Sequence, residues 1–272
     1  MTDSSAALIR LQDIVRDMGT MAVAVSGGVD SMTLAVVAHR VAPQQVRMIH
    51  AVSAAVPTQA TERVNEYARR EQWRLQTIDA GEFSDPQYRA NPANRCYFCK
   101  TNLYGTMTQV CQDPLVSGTN VDDLGDYRPG LQAATAHQVR HPYVEAGITK
   151  ALVRAIAHSL DLTDLAELPS APCLSSRIET GISIDPRVLP VVNDVERLLD
   201  ATLSASTVRC RVRHQGVVIE LDEPTLEGLG SAQRVALTDE IKQRFAAIGH
   251  QHAVFFESYR MGSAFVRPAT NA

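Results

Sequence analysis

The sequence predicts an α/β protein in which a doubly wound parallel sheet is followed by a smaller α+β domain. Strand-like apolar runs and amphipathic stretches alternate over residues 7–160, which is typical of a parallel sheet with helices on both faces. A glycine and serine loop at 26–31 joins the first strand to a helix. The prolines of 168–172 interrupt the alternation, so we place the domains at 1–168 and 169–272.

The elements follow from apolar residues at helical spacing and from short continuous apolar runs. Pro57 suits the first turn of a helix because its φ is fixed, and Thr149 can cap the N-terminus of another. In the first domain we expect helices at about 7–18, 31–41, 57–72, 95–110 and 149–160, and strands at 21–25, 46–52, 75–78 and 115–116. In the second domain we expect helices at about 186–203 and 231–248, and strands at 207–213, 216–221 and 253–256.

The composition is that of a globular protein of 272 residues, 45% of them hydrophobic, which is enough for two domains of roughly 150 residues. The net charge of −4 disfavours a nucleic-acid or anionic-membrane partner. Residues 1–5 lack the features of a signal peptide and no apolar stretch is long enough to span a membrane, so we expect a cytoplasmic protein. Five cysteines, an odd number, favour reduced or metal-bound thiols over disulfides.

The loop Ser26-Gly27-Gly28-Val29-Asp30-Ser31 is predicted to bind phosphate. Its adjacent glycines let the backbone approach an anion, its serines offer hydroxyl groups, and the following helix directs unpaired N–H groups to the same place. It is not a Walker loop, because it lacks the Gly-Lys-Ser/Thr ending and carries an acidic residue, Asp30. The alternative is an ordinary strand-to-helix turn.

Ligands of open α/β sheets lie beyond the carboxyl ends of the strands. We therefore expect a nucleotide to contact the loop 26–31 together with two other strand ends. These are Ser53, after the second strand, and Gly118, Thr119 and Asn120, after the fourth.

An acidic stretch follows the fourth strand and contains Asp122, Asp123 and Asp126. Loops at this edge of a sheet often carry function. These carboxylates could position Mg²⁺ or a catalytic water, or they could cap helices and face solvent.

Three of the five cysteines are candidates for chemistry. Cys96 and Cys99 lie three residues apart in a predicted helix, so both can face one direction. Such a pair fits half of a metal site, a redox pair, or two cysteines that pack as small hydrophobic residues. Cys173 lies in a proline and serine loop beside an arginine, which would stabilise a thiolate. Cys111 and Cys210 are expected to fill core space.

Arg209, Arg211 and Arg213 alternate with apolar residues in a predicted strand, so their guanidinium groups would share one face. This face could bind an anion. It could equally be an outer surface paired with carboxylates such as Glu220. The spacing leaves both interpretations open.

Five segments together resemble the LarE family of the PP-loop ATP pyrophosphatases, which are ATP-dependent pyridinium sulfur transferases. The segments are 26–31, 94–100, 118–123 with 126–130, 172–177 and 208–213, and the resemblance extends over about residues 8–257. The loop 26–31 indicates the superfamily, while the segments around Cys173 and the arginine strand indicate the narrower family. The first domain should then be a PP-loop domain of the adenine nucleotide alpha hydrolase type.

The resemblance implies a reaction on pyridinium biscarboxylate mononucleotide, in the biosynthesis of the nickel-pincer nucleotide cofactor of lactate racemase. ATP, with Mg²⁺, would adenylylate a carboxylate and release pyrophosphate, and sulfur would then displace AMP to leave a thiocarboxylate. Asp30 would be catalytic in the first step and Cys173 in the second. Arg177 and the three strand arginines would hold the phosphate and carboxylates of this small-molecule substrate.

The family has two branches that differ in the source of sulfur. In one, a cysteine matched by Cys173 gives up its own sulfur and is left as dehydroalanine. In the other, three cysteines matched by Cys96, Cys99 and Cys173 hold a 4Fe-4S cluster that delivers sulfide. Because all three thiols are present, we expect the cluster-bearing form, supplied by sulfide or a sulfur-donor protein. We also expect a homo-oligomer.

Two other functions remain open. A tRNA thiolase or an amide-forming synthetase of the same superfamily would share the adenylylation step. The acidic balance disfavours tRNA, and the sequence shows no glutaminase-like domain or ammonia source. A non-catalytic sensor would bind adenylate at the loop and zinc at the three cysteines, although zinc needs a fourth ligand that the sequence does not suggest.

Overall fold

The computed structural model describes residues 3–125, 128–170 and 172–266, and these form two compact units. The first unit takes its residues from Met1–Glu82 and Cys96–Ala171. The second takes its residues from Phe83–Arg95 and Pro172–Ala272. Residues 83–95, which the sequence-based boundary places in the first domain, therefore pack with the second unit.

The helices are α1 (Asp3–Met18), α2 (Val29–Val41), α3 (Thr58–Arg70), α4 (Pro86–Arg89), α5 (Arg95–Val110), α6 (Pro129–Ala136), α7 (Pro142–Glu145), α8 (Lys150–Ser159), α9 (Thr163–Ala166), α10 (Val188–Leu203), α11 (Glu223–Gly228) and α12 (Ser231–Ala246). The strands are β1 (Met21–Ala24), β2 (Val46–Ala51), β3 (Leu75–Ile78), β4 (Leu115–Val116), β5 (Val208–Arg213), β6 (Gly216–Leu221) and β7 (Val254–Ser258). Within the described ranges, each helix is too short or too polar to cross a membrane.

The first unit contains a parallel sheet with the strand order β3-β2-β1-β4. The chain moves from β1 to β2 and β3 on one side and then returns to place β4 on the other side of β1. The direction of winding therefore reverses between β1 and β4, and ligands of such sheets bind beyond the carboxyl ends of the strands at this reversal. The loop 26–31 leaves β1 at this point, and residues 117–120 leave β4 there.

Side chains alternate across β1 and place a hydrophobic core on each face of the sheet. Met21 and Val23 belong to a cluster that includes residues of α1, α2, α8 and α9. Ala22 belongs to another cluster, with residues of α5 and α6. Burial on both faces explains why the strands read as continuous apolar runs. The predicted α/β fold, with helices on both faces of a parallel sheet, is confirmed.

The second unit contains the sheet β5-β6-β7, in which β6 pairs antiparallel with β5 and parallel with β7. Helix α10 packs on β5, and α12 packs on α10 and β7. A bridge between Ile178 and Val212 ties the loop that follows Cys173 to β5. This is the smaller α+β domain that the sequence predicts.

Several short helices were missed by the sequence analysis: α4, α6, α7, α9 and α11. They contain four to eight residues, which is too few for helical periodicity to be visible. Four of them begin with a proline in the first turn, the available signal. The start of α2 also differs, because the helix begins at Val29 rather than at 31 and thus places Asp30 in its first turn.

Candidate functional site

The loop 26–31 is folded back on itself by its two serines. The Ser31 Oγ accepts a hydrogen bond from the Ser26 N–H (3.1 Å), donates to the Gly28 carbonyl oxygen (3.2 Å) and lies 3.0 Å from the Ser26 Oγ. Ser31 is buried, whereas Ser26 and Gly28 are exposed. No side chain caps the N-terminus of α2. An exposed glycine loop that leads into an uncapped helix N-terminus fits a phosphate group.

Two glycines are required where neighbouring segments approach this loop closely. Gly27 has a φ of +82°, and a Cβ there would lie 2.7 Å from the Ala60 carbonyl oxygen. A Cβ on Gly118 would lie 2.8 Å from the Ser31 backbone nitrogen. Arg63 adds a hydrogen bond from its Nη1 to the Gly27 carbonyl oxygen (2.7 Å). The segments that follow β1 and β4 are therefore in direct contact at the predicted crevice.

Asp30 connects the loop to two other segments of the first unit. Lys150 forms an ion pair with its Oδ2, and the Asn120 Nδ2 donates to its Oδ1 (3.3 Å). The Tyr143 hydroxyl donates to the Asp30 carbonyl oxygen (3.0 Å), and burial raises the pKa of Tyr143 well above its usual range. The sequence analysis missed Lys150. Its position directly after the Thr149 cap was the available signal, because a cation is unfavourable at a helix N-terminus and needs another reason to be there.

The acidic stretch after β4 serves partly as a cap. Asn120 and Asp123 form a capping box at the start of the 3₁₀ turn Val121–Leu124. The Asp122 carboxylate accepts a hydrogen bond from the Lys150 N–H (2.8 Å). Asp126 lies outside the described residues. Asp122 thus holds the segment after β4 against the start of α8, while Asp123 caps the turn within that segment.

Ser117, Thr119 and His141 form a hydrogen-bonded chain at the end of β4. The Ser117 Oγ lies 3.1 Å from the Thr119 Oγ1 and 2.9 Å from the His141 Nδ1. Burial lowers the pKa of His141, which favours its neutral form. The chain orients the Thr119 hydroxyl beside Gly118, where the sequence predicts contact with the nucleotide.

His50 connects β2 to the residue that follows β1 and to helix α3. Its Nδ1 lies 2.8 Å from the Val25 carbonyl oxygen, which can only accept, so Nδ1 carries the proton. Its Nε2 then accepts from the Thr61 hydroxyl (3.0 Å). Ser53, predicted to contact the nucleotide, is half-buried, and its Oγ accepts from the Ala55 N–H (3.2 Å).

Cys173 is exposed and directly precedes the 3₁₀ turn Leu174–Arg177 in the second unit. Behind the thiol the turn is buried, and the Ser175 Oγ lies 2.6 Å from the Tyr88 hydroxyl. The sequence analysis did not identify Tyr88, because nothing in the sequence links residues 83–95 to this turn. The structure therefore presents the thiol to solvent on a backbone held in place by its buried neighbours.

Arg177, predicted to bind substrate, is 3% exposed, and its guanidinium is engaged inside the second unit. Its Nε and Nη2 donate to the two carboxylate oxygens of Glu196 (2.9 Å each), and its Nη1 donates to the Pro172 carbonyl oxygen (2.9 Å). Glu196 also accepts from the Cys210 N–H (2.9 Å). These contacts fix the backbone beside Cys173, and a substrate would have to share or replace them.

Two of the strand arginines share one buried carboxylate. Arg211 Nε donates to one oxygen of Glu220 (3.0 Å) and Arg213 donates to the other, while Arg213 also pairs with Glu257 (3.1 Å). Glu220 is 0% exposed. Pairing with Glu220 was one of the two interpretations left open by the sequence.

Arg209 lies in a different environment from its two neighbours on β5. Its Nη1 donates to the Val208 carbonyl oxygen (2.6 Å), and its guanidinium lies 5.9 Å from the centre of the Tyr259 ring. Burial, and then the positive charge of Arg177, lowers the pKa of Arg209. An anion bound beside Arg209 would therefore stabilise its positive charge.

Cys96 and Cys99 lie at the start of α5, where Cys96 is exposed and Cys99 is half-buried. Across the described residues, no three His, Cys, Asp or Glu side chains lie together as a metal site requires. Of the three cysteines expected to hold a 4Fe-4S cluster, Cys96 and Cys99 belong to the first unit and Cys173 to the second. Cys111 and Cys210 are buried, as predicted, and burial raises the pKa of each thiol.

No protein-family model matches the chain, but several proteins have similar sequences. The uncharacterized protein slr1717 of Synechocystis sp. is 34% identical over 94% of this chain and 95% of its own length. The pyridinium-3,5-bisthiocarboxylic acid mononucleotide synthase of Lactiplantibacillus plantarum is 24% identical over 93% of this chain and 92% of its own length. The uncharacterized protein MJ0830 of Methanocaldococcus jannaschii is 29% identical over 49% of this chain and 53% of its own length.

The first two similarities extend over both compact units. They therefore include the loop 26–31 of the first unit as well as the Cys173 turn and the arginine strand of the second. The chain therefore belongs to the same family as slr1717, and its similarity to the Lactiplantibacillus plantarum synthase supports the resemblance to the LarE family.

Proposed function

We propose that this protein is an ATP-dependent sulfur transferase that converts the carboxylates of pyridinium biscarboxylate mononucleotide to thiocarboxylates. The product would serve the nickel-pincer nucleotide cofactor of lactate racemase. The observation that carries the proposal is the similarity, over 93% of the chain, to a pyridinium-3,5-bisthiocarboxylic acid mononucleotide synthase. The uncapped helix and exposed glycine loop at 26–31 support it, since they suit the phosphates of ATP.

In the first step, an oxygen of the substrate carboxylate attacks the α-phosphorus of ATP. The bond from that phosphorus to the bridging oxygen breaks, and pyrophosphate leaves with the electron pair. The loop 26–31 would hold the departing phosphates through its backbone N–H groups and the exposed Ser26 hydroxyl. Mg²⁺ bound to a nucleotide typically takes one or two protein carboxylates, and Asp30 is the candidate at this loop.

Lys150 supplies the cation that the loop itself lacks. In the structure its charge is balanced by Asp30. With Mg²⁺ and ATP present, Asp30 would turn to the metal and Lys150 to phosphate oxygens, so that each charge keeps a partner of opposite sign. The side chains are 37% and 25% exposed, which leaves both accessible for this exchange.

In the second step, the Cys173 thiolate attacks the carbonyl carbon of the acyl adenylate, and AMP leaves. The resulting thioester loses the Cα proton of Cys173 and its Cβ–S bond breaks, which gives the thiocarboxylate and leaves dehydroalanine. Exposure of the thiol on a held turn supports this source of sulfur. This proposal takes the sulfur from Cys173 itself rather than from a 4Fe-4S cluster, which the described residues do not support.

The test supplies ATP, Mg²⁺ and pyridinium biscarboxylate mononucleotide to the purified protein and measures pyrophosphate. We expect release that depends on the pyridinium nucleotide. Ser26→Ala and Asp30→Ala should each reduce it by about a hundredfold or more, because the first removes a hydroxyl contact to the departing phosphates and the second removes the proposed ligand of the Mg²⁺ that neutralises their charge. Asp239→Ala, which removes an exposed carboxylate from α12, is the matched control and should retain activity.

Unchanged release from both loop variants would remove the loop from the reaction. Release that depends on tRNA or on an ammonia source, and not on the pyridinium nucleotide, would assign the protein to another branch of the superfamily.

A further inference from the structure

Two adjoining cavities lie in the second unit, between residues 83–90 and the loop 181–187. Their volumes are about 480 and 450 Å³, and Arg89 and Ser183 line both of them. These volumes are within the range of small-molecule sites. Neither cavity is lined by Cys173 or by the strand arginines, so they are separate from the residues assigned above.

The walls of the cavities are held by buried contacts. Tyr88, one residue before Arg89, is 1% exposed, and its ring packs edge-on against Phe83, a lining residue, with 5.4 Å between ring centres. The Ile184 N–H donates to the Arg89 carbonyl oxygen (2.8 Å), which joins the two walls. The backbone that carries Arg89 is thus fixed from both sides.

The charges that line the cavities do not cancel. Arg187 donates from Nε (3.1 Å) and Nη2 (2.7 Å) to Asp185, and the His250 Nε2 lies 3.4 Å from the same carboxylate. The pKa of Asp185 is lowered to about 2, chiefly by the hydrogen bond from Arg187. Both members of this pair are therefore ionised at neutral pH, and their charges cancel. Among the residues that the structure describes, no side chain or backbone oxygen accepts from the Arg89 guanidinium. One positive charge therefore remains uncompensated.

We propose that these cavities form a binding site for a phosphate group, with the Arg89 guanidinium as the charged contact and the Ser183 hydroxyl beside it. A guanidinium donates two parallel hydrogen bonds to phosphate oxygens, and an exposed hydroxyl can add a third. The apolar edge of Phe83 would lie against the body of a phosphate monoester. The site is independent of the loop 26–31 and of the proposed sulfur transfer.

The test titrates the full-length protein with inorganic phosphate and with ribose 5-phosphate by calorimetry. We expect Arg89→Gln to weaken binding by about tenfold, since one charge-assisted contact is lost. The side chain of Arg89 is exposed, so this variant should fold normally. Arg197→Gln, which removes an exposed arginine from α10 of the same unit, is the matched control and should bind like the unaltered protein.

A second measurement does not depend on affinity. Phenylglyoxal should modify Arg89, and either phosphate probe should protect it, as read by peptide mass spectrometry. Equal binding of both probes identifies free phosphate as a ligand, and preference for ribose 5-phosphate identifies a phosphate monoester. Equal dissociation constants for the unaltered protein and Arg89→Gln, or modification of Arg89 that phosphate does not slow, would overturn the proposal.

Discussion

Individual residues in the first unit are held in defined protonation states by burial. His50 is the clearest case, because its buried ring donates from Nδ1 to the Val25 carbonyl oxygen and, in the neutral form, accepts at Nε2 from the Thr61 hydroxyl. Burial lowers the pKa of His50 from its usual value of 6.5, because a charged ring loses its hydration there, while the hydrogen bond to Val25 acts in the opposite direction.

We expect the imidazole of His50 to titrate below 6.5 in an NMR experiment. Because the folded pKa lies below the unfolded one, the unfolded chain binds more protons between the two values, and the free energy of unfolding falls as the pH decreases through this window. The stabilisation is fully present above 6.5. A His50 midpoint at or above 6.5 would show that burial does not disfavour the charged ring.

Residue types and their spacing predicted some residue-level features of the structure, such as the burial of Cys111 and Cys210. The strand-to-helix position of loop 26–31 was predictable because two glycines between a strand and a helix have a specific physical purpose, while its binding of phosphate stays a prediction. The roles of the arginines were harder to predict, since a sequence does not show which carboxylate will be nearest. Glu196 takes Arg177 and Glu220 takes Arg211 and Arg213, pairings of residues between 7 and 19 positions apart.

At the scale of elements, the predicted phosphate-binding region depends on two segments that meet without side chains between them. Gly118 follows β4, and the loop from β1 runs beside it. We expect Gly118→Ala to destabilise the protein by about 1–3 kcal/mol, because its Cβ would lie 2.8 Å from the Ser31 backbone nitrogen and would push the two segments apart. The same displacement should weaken binding of ATP.

Gly125→Ala is the matched control for this substitution. Gly125 has a φ of −79°, and a Cβ there would meet its nearest atom at 3.9 Å. We expect a change within about 0.5 kcal/mol. Denaturant unfolding and ATP titration of both variants provide the measurement. Equal stability and equal ATP binding in the two variants would show that the close approach at Gly118 has no consequence.

The longer elements were predictable because apolar spacing reports burial directly. The fold class followed from them, since strands that alternate with helices admit few arrangements. The short proline-led helices were not predictable from periodicity, and α4 is among them. Its Tyr88 supports the turn after Cys173, so part of the structure around the thiol was invisible to the sequence.

At the scale of the whole molecule, the second unit includes a segment from the middle of the chain. Asn91 accounts for this, because it is 0% exposed with a φ of +53° and its side-chain amide donates to the carbonyl oxygens of Glu179 (2.8 Å) and Ile182 (3.0 Å). The Gly181 N–H donates to the Asn91 carbonyl oxygen in return (2.9 Å). These hydrogen-bond partners lie about 90 residues away in the sequence, so local sequence patterns do not reveal them. A boundary between two consecutive domains was therefore the natural expectation from the sequence.

In the proposed reaction, ATP activates a carboxylate of a pyridinium nucleotide so that the carboxylate can receive sulfur. The most direct measurement is mass spectrometry of the nucleotide and the protein after one turnover, on protein purified without oxygen and assayed for iron and acid-labile sulfide. We expect a thiocarboxylate on the pyridinium nucleotide, one AMP for each sulfur transferred, and a Cys173 peptide that has lost hydrogen sulfide. A thiocarboxylate with Cys173 intact and iron and sulfide present would transfer the donor role to a cluster. A pyridinium nucleotide unchanged in mass, whether or not AMP is formed, would show that the protein does not transfer sulfur to this nucleotide.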